Sequence, residues 1–199
     1  MRGKSLMIIC VLFALALLSA APAAMAADGP GGMAFEDPAE TPATTPADAG
    51  ATDAQPTVPG TEAKIVNGLA AAPEAAPDAV KQAIWAANQI IGRPYRYGGG
   101  HAKGFVDRGY DCSGTVSVAL HGADVLDSPL DSGSMMRWGA AGAGQWITVY
   151  ANAGHAYAVI AGLRLDTSAA GDPSGLKGPR WRPVLRSSRG FRARHPVGL

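Results

Sequence analysis

The sequence predicts an α+β domain in which helices come first and an antiparallel sheet follows. Three observations lead there. Val80, Ile84, Ala87 and Ile91 recur at the helical period. The later runs QWITVYAN, HAYAVIAG and LRLDTS alternate as strands do, with glycine-rich breaks between them. The two patterns are segregated along the chain rather than interleaved. At 199 residues the chain holds one ordinary domain with appendages. Ala, Gly and Pro supply 80 of those residues, so large core-formers are scarce. No fixed-period repeat is visible, which excludes solenoids and propellers.

Residues 1–26 read as an export signal. Arg2 and Lys4 precede the apolar run MIICVLFALALLSA, and Ala24-Met25-Ala26 offers a small-residue cleavage site. The run is long enough to span a bilayer, so a membrane anchor is the alternative; Pro22 and the Ala-rich end favour cleavage. Cys10 lies mid-run, not at the end, where a lipid-bearing cysteine belongs. Cleavage leaves Cys112 as the one cysteine, with no internal disulfide, in a protein secreted without a stable membrane span. Residues 27–76 read as a disordered linker. Residues 28–63 carry six prolines, seven acids and no base, too little apolar surface to offset ordering entropy.

The domain is then expected over 77–199. A helix over 78–91 has Asp78 as its N-cap and Gly92 as its stop. RPYRYGGG follows as irregular chain. Asp111 can cap a second helix starting near Cys112, with Val116, Ala119 and Leu120 on one face. Gly114 in its first turn costs about 1 kcal/mol against Ala, which points to close packing or a substrate there. SPLDSGSMMRWG can hold a further short helix before the strands begin.

Charge divides the chain as sharply as hydropathy does. Residues 28–78 hold nine acids and one base; residues 79–199 hold fourteen bases and seven acids. Residues 177–199 carry seven bases and no acid, a basic C-terminal tail suited to a polyanion. Trp181 and Phe191 among the arginines would suit stacking on nucleic acid, but export favours anionic cell-wall polymers instead.

A lone cysteine is most often a small buried hydrophobe. Cys112 differs, because an exported unpaired thiol is an oxidation liability and a helix start favours the thiolate. Nucleophilic use needs a base. His195 lies in the basic tail and His121 at the far end of the Cys112 helix, which leaves His155 and His101, with His155 slightly ahead because it opens a strand. Neither CxxC nor a paired-histidine spacing appears, so no metal or other cofactor is expected.

The stretches IGRPYRYGGGH, YDCSGTVSVAL and GHAYAVIAG, in this order and spacing, resemble the NlpC/p60 superfamily of papain-like cysteine peptidases over about residues 77–168. The resemblance implies a Cys-bearing helix packed on an antiparallel sheet that carries the histidine. It implies Cys112 as nucleophile and His155 as base, and places Tyr95, Asp111 and Ser113 along the substrate cleft. Each of these three also has a plain structural reading, as loop packing, N-cap and first-turn residue. The implied activity is hydrolysis of a peptidoglycan stem-peptide amide, usually between D-glutamate and a diamino acid. A muramoyl–alanine amidase on the same fold and a non-catalytic basic wall-binding protein are the alternatives; a monomer is expected. Residues 169–199 lie beyond the resemblance.

The third catalytic position follows from counting. If HAYAVI and LRLDTS form a hairpin turning at Ala161-Gly162, Asp166 pairs with Tyr157 and lies diagonal to His155 on the same face. Ser168 directly opposes His155 and is the rival acceptor. A carboxylate steadies an imidazolium better than a hydroxyl does, which favours Asp166. A three-residue turn would face Asp166 away.

Overall fold

A computed structural model of the chain describes residues 55–199. The export signal and most of the predicted linker lie outside the described residues. Nine strands and three helices occur in the described part: β1 (Thr57–Val58), β2 (Lys64–Val66), β3 (Leu69–Pro73), α1 (Asp78–Asn88), α2 (Cys112–Gly122), α3 (Ser132–Met135), β4 (Ala140–Ala141), β5 (Ile147–Asn152), β6 (His155–Ile160), β7 (Leu163–Asp166), β8 (Arg180–Arg182) and β9 (Arg192–His195). The architecture is mixed α+β. Among the described residues no helix is long and apolar enough to cross a membrane.

Two sheets form. The larger runs β4-β9-β5-β6-β7-β8, antiparallel throughout, and the smaller runs β1-β3-β2. On the inner face of the large sheet, Ile147, Val149, Ala151, Ala156, Ala158, Ile160 and Leu165 are buried. Against them lie Val116, Ala119 and Leu120 of α2, which in turn packs on α1. Each fully buried Val, Leu or Ile of this layer contributes about 1.5–3 kcal/mol relative to exposure.

Three expectations need correction. The predicted linker runs too far: residues 57–73 form β1 to β3, and Ala70, Ala71 and Ala72 are buried. Composition misleads here because alanine buries little area per residue, yet its small size brings β3 up against α1. Buried Asn88 closes that contact, accepting from the Ala70 N–H at 3.0 Å and donating to the Ala70 carbonyl at 2.9 Å. Its Oδ1 also accepts from the Trp181 indole at 2.8 Å, so one side chain ties the small sheet to β8.

The second correction concerns α1, which ends at Asn88 rather than residue 91 and has Pro77, not Asp78, as its N-cap. Gln89 and Ile90 donate to carbonyls three residues back, tightening the chain toward Gly92 at positive φ. The third concerns the basic C-terminal tail, which is not a free tail. Its arginines build β8 and β9, and β9 lies between β4 and β5 inside the large sheet. Arg182 is buried, with Nη1 2.7 Å from Asp172 and Nη2 donating to the Leu176 carbonyl. Lys177, Arg189 and Arg192 are exposed.

Candidate active site

The glycine loop and the start of α2 lock together around Asp111. Its Oδ1 accepts from the Gly114 N–H at 2.7 Å, as an N-cap does. Its Oδ2 accepts from the Gly98 N–H at 3.0 Å, and its own N–H donates to Gly99. A Cβ on Gly114 would overlap the Gly99 carbonyl oxygen, so the glycine is there for close packing. The result sets Cys112 at the first helical position, in the floor of a cleft of about 410 Å³. Tyr95, Asp111, Cys112 and Ser113 all line this cleft, together with Asp131, which caps α3, and Ser132.

The β5–β6 turn brings the histidine. Asn152 Oδ1 accepts from the backbone N–H groups of Gly154 and His155, at 3.0 and 2.9 Å, and starts β6 at the rim of the sheet. His155 and Cys112 lie close enough to shift each other's ionisation, while His155 Nε2 lies 2.9 Å from Asp166 Oδ1. With Nε2 so engaged, Nδ1 is the ring nitrogen left for the thiol. Ala158 pairs with Leu165 and Ile160 with Leu163, the register that a turn at Ala161-Gly162 requires. Asp166 is buried, so its carboxylate faces protein alone.

Electrostatics favour an ion pair. Burial disfavours the imidazolium, but the hydrogen bonds to Asp166 and Cys112 and their charges outweigh it and raise His155 to about 9. Burial likewise disfavours the thiolate, yet hydrogen bonds from His155 and the Ala156 N–H bring Cys112 below its ordinary value; Asp111 opposes them. The arrangement can hold a thiolate beside an imidazolium, with the far ring nitrogen held by a carboxylate.

None of the remaining histidines meets Asp166 as His155 does. His101 Nε2 lies 3.0 Å from Asp111 Oδ1 and 3.2 Å from Ser113 Oγ, both contacts on one nitrogen, which suits a wall of the cleft rather than a relay. His121 stacks on Phe105, and His195 meets the Gly142 carbonyl. Ser168, the rival third residue, donates its N–H to Asp166 Oδ1 at 2.8 Å, and its Oγ accepts from the Ala170 N–H. It supports the carboxylate rather than the ring.

Sequence reasoning did not reach a second cleft of about 240 Å³, where Thr167, Ser168 and Lys177 stand beside His155 and Tyr95. Nor did it reach Arg186, or the place of Phe191 beside His155 rather than on a nucleic acid; the two close over the far side of Asp166 and His155. These residues lie past the last recognisable motif and carry no periodic signal. Among the described residues no group of three or more His, Cys, Asp or Glu is placed to hold a metal ion.

Comparison of the chain with family models, with curated proteins and with solved structures found no match.

Proposed function

We propose that this chain is a secreted cysteine peptidase that hydrolyses a stem-peptide amide of cell-wall peptidoglycan. The observation that carries the reading is His155, held at Nε2 by buried Asp166 2.9 Å away and close enough to the Cys112 thiol for each to shift the other's ionisation. The substrate and the bond, between D-glutamate and a diamino acid, rest on the resemblance of the three motif stretches; export rests on residues 1–26. The Cys112 thiolate attacks the amide carbonyl carbon, forming a C–S bond and an oxyanion. The Cys112 backbone N–H, at a helix start with no intrahelical acceptor, is suited to receive that charge. Collapse breaks the C–N bond as His155 gives its proton to the leaving amine. Water then attacks the thioester, His155 takes its proton, and the C–S bond breaks to release the acid and restore the thiolate.

The test is incubation of the purified protein with peptidoglycan, with fragments identified by mass. Wild type is expected to release cleaved stem peptides and Cys112→Ala none; intact peptidoglycan with wild type would overturn the reading. Fragments cut at the muramoyl–alanine bond would assign the amidase reaction instead. The pH dependence has a defined sign. Cleavage should rise as the Cys112 thiol ionises, below its ordinary range, and fall as pH climbs through about 9, where His155 loses its proton. A basic limb near the ordinary histidine value of about 6.5 would show that Asp166 does not hold the imidazolium.

A further inference from the structure

Resting on the cysteine-peptidase reading, we propose that Arg186 is a positioning residue, fixing the Asp166 carboxylate so that Oδ1 meets His155. Asp166 has two oxygens with separate duties. Oδ1 takes His155 Nε2 and the Ser168 N–H. Oδ2 accepts from Arg186 Nη1 at 3.2 Å, while Arg164 Nε stands farther off at 3.7 Å. A carboxylate held at one oxygen only can pivot; anchoring Oδ2 to a guanidinium removes that freedom.

The guanidinium is itself caged. Its carbon sits 5.2 Å from the Tyr157 ring centroid and 5.1 Å from that of Phe191, within cation–π range of both. Phe191 turns its ring edgewise on His155 at 6.2 Å and on Tyr157 at 5.1 Å. The chain from 183 to 191 thus reaches back across the sheet and holds both members of the pair, Asp166 by charge and His155 by an aromatic edge.

With Oδ2 released the carboxylate can pivot away from Nε2, so removal of Arg186 leaves the proton on His155 less tightly held. The titratable and charged groups around His155 are Cys112 from α2 and Tyr157 on its own strand with Tyr150 stacked behind. They also include Asp166 and Arg164 on β7, Arg186, and Lys177 with Tyr95 in the second cleft.

The experiment follows the His155 ring by NMR titration in wild type, Arg186→Gln and Arg186→Lys, with cleavage kinetics and thermal melts alongside. In Arg186→Gln the His155 midpoint is expected to fall by about half a unit, roughly threefold in proton affinity. kcat should fall roughly tenfold, with KM nearly unchanged. Arg186→Lys should return the midpoint toward wild type. Adding Arg186→Gln to Asp166→Asn should move the midpoint no further, because the effect runs through Asp166. A lowered melting temperature with an unmoved midpoint, or a shift that survives in the Asp166→Asn background, would overturn the proposal and leave Arg186 a strap on the loop. A wild-type His155 titrating near its ordinary value, in a protein inert toward peptidoglycan, would instead sink the catalytic reading, and this inference with it.

Discussion

The imidazole of His155 owes its usefulness to what lies on either side of it. A buried carboxylate on Nε2 and a thiol near enough to shift its ionisation make the charged ring worth holding. Asp166→Ala is therefore expected to cut kcat by about 100-fold or more. Ser168→Ala should stay within a few-fold, since Ser168 touches Asp166 through its backbone N–H, which the substitution keeps. The check is the two kcat values side by side; near-normal activity in Asp166→Ala would remove the carboxylate from the mechanism. This part of the site was legible in the sequence because a two-residue turn fixes register and register fixes which side chains share a face. Arg186 was not legible. It meets Asp166 twenty residues away along the chain, through a loop whose path no local pattern records.

Among the elements, α2 was readable from Asp111, Cys112 and the apolar residues behind them, because capping and helical period are local signals. The strands that escaped were of two kinds. β3 is three alanines between a leucine and a proline, so an area argument discounts it, and β8 and β9 alternate arginines with other residues and pass for solvated chain. What holds such weak strands in place is specific polar contact, with Asn88 the clearest instance. Asn88→Leu would leave the Ala70 N–H, the Ala70 carbonyl and the Trp181 indole unpaired in the interior. The expected loss is about 3 kcal/mol, read as a lower urea midpoint at unchanged slope. A loss under about 0.5 kcal/mol would show that these groups find other partners.

At the scale of the whole molecule, the basic C-terminal stretch changes character. Read as charge alone it is an adhesive tail; in the fold its residues supply two strands of the large sheet and the strap over Asp166. Deleting residues 169–199 is therefore expected to leave no cooperatively folded protein, as followed by circular dichroism during heating. A truncated protein that melts sharply and keeps its activity would restore the tail reading. The position of β9 has one more consequence, in time rather than space. β5 finds β6 at once across a tight turn, but its other edge is filled by a strand some forty residues farther along. Until that segment returns, a newly made chain exposes a bare row of N–H and C=O groups on the residues around Val149 and Ala151. Closure of the sheet and capture by another nascent copy compete for that edge, so the rate at which β9 arrives sets how fast this protein can be made before it clumps.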